Sequence, residues 1–168
     1  HKKASTNPLG FCQGGFFGGN LRPDDKIEPL LKPMSASFGI TALNELQQLY
    51  NGRSIYEDGE FALEVMKYIN EKVEQYKKED GNLYAIYATP AESLCGLQIE
   101  QFRKKYGIIK NVSDRSYVSN SFHCHVTENI TPIQKQDSEK RFWNFFNGGK
   151  IQYCRYPVSY NKTAIKTL

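Results

Sequence analysis

The strongest constraint on this chain is the run Tyr84-Ala-Ile-Tyr-Ala-Thr-Pro-Ala-Glu-Ser-Leu-Cys-Gly96, where an apolar, strand-like segment drops without a spacer into the grammar of a helix start. Thr89 suits the N-cap, Pro90 the first helical position, and Glu92 the acid of a capping box. A strand that empties into a helix N-terminus leaves backbone N–H groups and a positive dipole end free, and that combination suits phosphate. Glu92 carries two compatible readings. It is a cap, worth about 1 kcal/mol with its partner, or a general acid/base at the carboxyl end of a strand, where open α/β folds place ligands.

The rest of the chain alternates in the same way. Ile40, Leu43, Leu46, Gln47 and Tyr50 recur at helical spacing until Asn51-Gly52 stops them. Ala62, Val65, Met66, Ile69, Val73 and Tyr76 mark a longer amphipathic helix ending near Gly81, followed by a strand over 82–88. A second strand is expected over 117–126. Thr131-Pro-Ile-Gln134 repeats the capping device and leads a helix through Trp143 and Phe146 to Gly148-Gly149, and a third strand runs over 150–156. This alternation predicts an α/β fold with parallel strands. The glycine-rich run 7–20 lacks the spacing of a phosphate loop or dinucleotide fingerprint, and reads as a strand end with tight turns or as a site wall.

With 168 residues, 39% hydrophobic and 13% aromatic, the chain has enough material for one domain with a real core, into which Met34 and Met66 are expected to pack. Its net charge of +4 is spread along the chain and mixed with acids, which argues against a nucleic-acid stripe. No apolar run approaches the roughly 20 residues that span a bilayer, and no signal peptide is visible. Cys12, Cys95, Cys124 and Cys154 lie far apart with no C-x-x-C pair, as expected of free thiols in a reducing cytoplasm. The chain opens His1-Lys-Lys-Ala without Met and stops at Thr163-Ala-Ile-Lys-Thr-Leu168, so both ends are expected to be cuts through something longer.

The segment Tyr117-Val-Ser-Asn-Ser-Phe-His-Cys-His-Val126, taken as a strand, puts Ser119, Ser121, His123 and His125 on one face and Val118, Asn120, Phe122, Cys124 and Val126 on the other. Two His one residue apart can chelate a metal, but no third ligand follows at a sensible spacing, and no metal site is assigned. A polar row facing a substrate cavity and a half-exposed strand face both remain open. Cys95 and Cys124 read as small buried hydrophobes or as redox-active thiols.

Several long motifs in register resemble the class III, anaerobic ribonucleoside-triphosphate reductases. They are Ala36-Ser-Phe-Gly-Ile-Thr-Ala-Leu-Asn-Glu-Leu46, Asn82 to Gly96, Tyr117 to Val126, Ile130-Thr-Pro-Ile-Gln-Lys-Gln136 and Asn147-Gly-Gly-Lys-Ile-Gln-Tyr153. The resemblance implies residues 1–168 as a partial catalytic domain, the later half of a ten-stranded α/β barrel of the glycyl-radical enzyme type. It implies an oxygen-sensitive reductase that makes deoxyribonucleoside triphosphates for DNA replication, with formate as reductant. The parent would carry a glycyl radical, a four-cysteine zinc site downstream of these residues, ATP or deoxynucleotide effector sites, a radical-SAM activating enzyme as partner and a homodimeric state.

By the same resemblance Glu92 is the catalytic acid beside the ribose. Thr89, Pro90, Ala91 and Ser93, together with Asn120, Ser121 and His123, border the substrate. The family's thiyl-bearing loop has no match here, so the chain by itself is expected to be inactive and to hold no cofactor of its own. It is expected in the cytoplasm, away from membranes and without direct nucleic-acid binding. The competing expectations are another glycyl-radical enzyme, or a non-catalytic nucleotide-binding or dimerising fragment.

Overall fold

The computed structural model describes residues 21–22, 24–154 and 166. The glycine-rich run 7–20, Cys12 and the last two positions of the strand expected over 150–156 lie outside the described residues. The described residues form two compact units, one drawn from 1–37 and 73–85, the other from 38–72 and 86–168. In chain order the elements are α1 (Glu28–Leu31), β1 (Ser35–Ile40), α2 (Leu43–Asn51), α3 (Glu60–Asp80), β2 (Leu83–Ala88), α4 (Glu92–Tyr106), α5 (Pro132–Glu139) and a 3-10 turn, Lys140–Phe145. The architecture is mixed α/β, and β1 and β2 pair as a small parallel sheet. No helix among the described residues is long and apolar enough to cross a membrane.

In the smaller unit Val73 is buried, and Tyr76 meets Tyr84 edge to face at 6.4 Å. Tyr84 also donates its hydroxyl proton to Asp80, closing the turn that separates α3 from β2. Met34, expected in the core, is instead 37% exposed. It follows the four-residue α1, which buries none of its own side chains.

In the larger unit the α2 helix lies where the periodicity puts it, and Gly52, with φ of 75°, supplies the left-handed residue that ends it. Of the expected row, Leu43 and Gln47 are buried and Leu46 is half-buried, but Tyr50 is not, and other polar residues join the buried face. Leu43 is buried beside Asn44, Glu45, Gln47 and Gln48, while Tyr50 is exposed and stacks on Phe61 at 3.9 Å. The polar side chains are buried because they satisfy backbone. Asn44 Oδ1 accepts from the Ile55 N–H at 3.0 Å, and Gln47 Oε1 accepts from the Ala62 N–H, one of the free donors in the first turn of α3, at 3.0 Å. Ala62 and Met66 then sink fully into the core, as their spacing predicts.

Two expected strands do not form among the described residues. Residues 117–126 form a buried, irregular path in which Asn120 alone makes an antiparallel bridge, to Thr41. Ser121 sits at φ of 52°, and the His123 N–H turns back to the Asn120 carbonyl at 3.2 Å, so the two-residue alternation of a strand is broken. Residues 150–154 make no strand ladder. The loop before them pairs with β2 instead: Gly148 N–H donates to the Ile86 carbonyl at 2.8 Å, Ala88 N–H to the Gly149 carbonyl at 3.0 Å, and Ile86 N–H to Asn147 Oδ1 at 2.8 Å.

The Thr131 capping box forms as expected, with Gln134 N–H to Thr131 Oγ1 at 3.2 Å and Thr131 N–H to Gln134 Oε1 at 2.9 Å. After Glu139 this helix tightens to the 3-10 turn, which buries Phe142. The same device at Thr89 does not form. The N-cap of α4 is Ala91, left-handed at φ 37° and ψ 38°, and no side chain caps it. Thr89 and Pro90 therefore precede the helix, and Glu92 is its first residue. Packing overrides the local pattern here. Ala91 rests on the cluster of Cys95, Ile99 and Val118, and Thr89 crosses Gly39 so closely that a Cβ there would lie 3.0 Å from the Thr89 methyl.

Candidate functional site

Beyond the carboxyl end of β2, two adjoining cavities open in the larger unit, of about 150 and 380 Å³. Tyr117, Asn120, Val126 and Tyr153 wall both. Pro90 and Cys95 line the larger one, while His123, His125 and Lys135 line the smaller. Residues separated by some thirty positions in sequence, Pro90 and Asn120, are thereby brought to one space.

The path from 118 to 120 is fixed by the start of α2. Ala42 N–H donates to the Ser119 carbonyl at 2.8 Å, and Glu45 accepts from Ser119 N–H at 3.0 Å and from its hydroxyl at 2.9 Å. Burial raises the Glu45 pKa above the usual carboxylate value, although the Ser119 hydrogen bonds pull the other way. This anchor leaves the Asn120 side chain half-buried at the junction of the two cavities.

The floor of the smaller cavity is built on Glu139, which is 1% exposed. Its carboxylate lies 3.0 Å from His123 Nδ1, and accepts from the Cys124 N–H at 3.0 Å, from Lys135 Nζ at 2.7 Å and from Gln152 Nε2 at 2.6 Å. Burial pushes the Glu139 carboxyl up, but His123 and Lys135 together outweigh it, and the net direction is down. His123 Nε2 donates to the Ile151 carbonyl at 3.2 Å, so both of its ring nitrogens are engaged within the fold. Cys124 is buried, and its thiol is pushed up to about 12 by burial and by the Glu139 charge, which leaves it inert. Among the described residues no disulfide joins Cys95, Cys124 or Cys154.

His125 is held differently. Its Nδ1 accepts from the Thr127 N–H at 3.3 Å and lies 2.9 Å from the Thr127 hydroxyl, and Tyr117 stacks on the ring at 5.7 Å. Its Nε2 is buried without a hydrogen-bond partner among the described residues. Burial, aided by the charge of Arg115, lowers its pKa to about 4, so the ring stays neutral.

A pH dependence of stability follows. The folded value of His125 lies below the ordinary His value, so its contribution is complete above about pH 6.5 and is lost as pH falls towards 4. Allowing for solvent screening, this amounts to about 1–2 kcal/mol. Glu139, also lowered, adds to the loss below the ordinary carboxylate range, whereas Glu45, raised, opposes it. Urea midpoints measured at pH 7, 5.5 and 4 are expected to fall, and His125→Phe is expected to flatten the upper part of that fall. A flat wild-type profile from 6.5 to 4 would contradict this account of His125.

The residues expected at the site are only partly gathered. Pro90, Asn120 and His123 line the cavities, and Ala91 packs beneath them on the Cys95 cluster. Thr89 lies against Gly39. Ser121 is buried at the turn, its hydroxyl unpartnered among the described residues. Glu92 and Ser93 open α4. Sequence reasoning missed Glu45, Lys135 and Glu139. The last two stand four residues apart on a polar helix, a spacing that ordinarily marks a surface ion pair.

A family model, "Anaerobic ribonucleoside-triphosphate reductase", matches residues 1–168. A protein of that name from Enterobacteria phage T4 is 36% identical over 157 residues, 92% of this chain and 25% of that protein. Those of Haemophilus influenzae and Escherichia coli are 30% and 29% identical over 171 residues, 98% of this chain and 24% of each. The chain thus spans about a quarter of the length of the curated relatives it matches.

Proposed function

The chain belongs to the anaerobic ribonucleoside-triphosphate reductase family, and we propose that its cavities form the substrate-facing part of such a reductase. In this reading the chain is part of a ten-stranded α/β barrel in a cytoplasmic, homodimeric enzyme activated by a radical-SAM partner. That enzyme converts ribonucleoside triphosphates to deoxyribonucleoside triphosphates. One observation carries the reading: the strand-to-helix junction at Pro90 and the buried path at Asn120 line one cavity at the carboxyl end of β2, the position where α/β folds bind ligands.

The junction supports a phosphate-holding role. Among the described residues no side chain caps α4, which favours leaving the N–H groups of its first turn, with the positive end of its dipole, for a ligand. Thr89, Pro90, Ala91 and Ser93 would shape that turn, and Asn120, Ser121 and His123 would border the rest of the substrate. Glu92, the first residue of α4, would exchange protons with the ribose hydroxyls. It would help the 2′-hydroxyl leave as water and take the proton of the 3′-hydroxyl. A glycyl radical and formate would supply the radical and reducing chemistry from outside these residues.

The four-cysteine zinc site that the resemblance implies belongs downstream of these residues, and none is proposed within them. Among the described residues no three His, Cys, Asp or Glu side chains gather as a metal site, and His123 and His125 spend their Nδ1 atoms on Glu139 and Thr127. No step is therefore assigned to metal in this part of the protein.

Calorimetry with ribonucleoside triphosphates tests the reading. The chain is expected to bind them, and Asn120→Ala to weaken binding about tenfold, the effect of one lost ligand hydrogen bond. Absence of binding, or an Asn120→Ala variant that binds as tightly, would overturn it.

A further inference from the structure

We propose that His125 is a ligand-facing hydrogen-bond donor, and that the cavity between Tyr117 and Tyr153 takes the base of the nucleotide, whose ring acceptor receives the His125 Nε2 proton. The proposal rests on the reading of these cavities as a nucleotide site and adds to it the base end and the group that meets it. Thr127 sets the tautomer. Its N–H donates to Nδ1, which must keep its lone pair, so the proton of a neutral ring sits on Nε2. That N–H is buried with no acceptor among the described residues, on a side chain only 5% exposed that lines the smaller cavity. Buried donors are almost always paired, and an unpaired one beside a cavity marks where an acceptor belongs. His123, two residues earlier, is no substitute, because both its nitrogens are engaged.

The chemistry of the cavity selects the acceptor. The donor is neutral, and Lys135 at the wall is already held by Glu139, so an anionic group gains little here. Tyr117 and Tyr153 are aromatic walls, and base–aromatic stacking accepts any base. At about 150 Å³ the space is smaller than the roughly 300–1,000 Å³ of whole-ligand pockets. It suits a ring system, with sugar and phosphates continuing into the adjoining cavity towards Pro90. Purine N3 and pyrimidine O2 are acceptors that every base presents at an equivalent position, so one N–H can serve purines and pyrimidines alike.

Calorimetry with ATP, UTP and ribose 5-triphosphate, which lacks a base, reads the proposal directly. His125→Phe keeps a flat ring against Tyr117 but removes the donor. It is expected to weaken ATP and UTP about tenfold and to leave ribose 5-triphosphate unchanged, while His125→Gln, with an amide N–H near the Nε2 position, recovers most of the loss. In the unsubstituted chain with 15N-labelled histidine, the His125 Nε2–H resonance is expected to shift with UTP and not with ribose 5-triphosphate, which keeps the test open if the variant does not fold. Equal losses for all three probes, a loss confined to one base, or no loss would overturn the proposal and leave the nucleotide site standing. Failure of the unsubstituted chain to bind any of the three would overturn both.

Discussion

In the complete reductase, Glu92→Gln is expected to lower turnover about 10²–10⁴-fold, the usual contribution of a positioned acid or base, while triphosphate affinity stays within about threefold. The glutamine matches the glutamate in shape and still hydrogen-bonds, so phosphate binding at the start of α4 should survive. What it cannot do is release or take up a proton at the ribose. At 1.36 kcal/mol per factor of ten, the loss corresponds to about 2.7–5.4 kcal/mol of transition-state stabilisation. The competing explanation is structural: an acid in the first turn of a helix stabilises it by about 0.3–1 kcal/mol, and its removal could loosen the junction. Paired measurements separate the two. Single-turnover reduction together with urea unfolding should show a large kinetic loss and a stability change under about 1 kcal/mol. A variant that reduces normally, or one whose rate loss tracks its stability loss, would remove Glu92 from the chemistry.

Glu139→Ala is expected to destabilise the chain by about 3–5 kcal/mol, the range for breaking a buried ion pair from one side. The carboxylate serves four partners, His123, Lys135, the Cys124 N–H and Gln152. Deleting it strands a buried backbone donor and deprives Lys135, whose side chain is 17% exposed, of the Glu139 counter-charge. Glu139→Gln should cost less, since an amide oxygen can still accept from Cys124 N–H. Urea unfolding monitored by Trp143 fluorescence checks both, and an alanine variant within about 1 kcal/mol of the parent would show the network to be ornamental. The order of the two variants matters as much as their size, because equal losses would mean that charge alone holds the floor.

What could be read from sequence were features whose causes are local. The Thr131–Gln134 capping box needs only four consecutive residues, and Gly52 ends α2 through its own backbone freedom. Met66 is buried because its spacing on a long helix repeats through several turns. Thr89 failed as a cap although its pattern was the same as that of Thr131. Ala91 is held left-handed by packing on Cys95, Ile99 and Val118, partners that a four-residue window does not contain. Residues 117–126 carry the alternation of a strand, but the turn at Ser121 ends it, and Ser119 and His123 answer to distant carboxylates, Glu45 and Glu139. Of the residues that line the cavities, Pro90, Asn120 and His123 were grouped by the resemblance alone, because strand alternation puts Asn120 and His123 on opposite faces. Glu45, Lys135 and Glu139 were not legible, since a carboxylate on a mixed helix carries no mark of burial until its partners from elsewhere are known.

The two anchors of the site differ in how far apart their ends lie along the chain. Glu139 joins partners 13 to 16 residues away, whereas Glu45 reaches Ser119 across 74. By loop-closure entropy the longer span costs about 1.4 kcal/mol more to close. The floor under His123 is thus inexpensive to assemble on its own, and the bond that brings Asn120 to the mouth is the costly one. In a folding chain, loop closure thus favours floor first and mouth last.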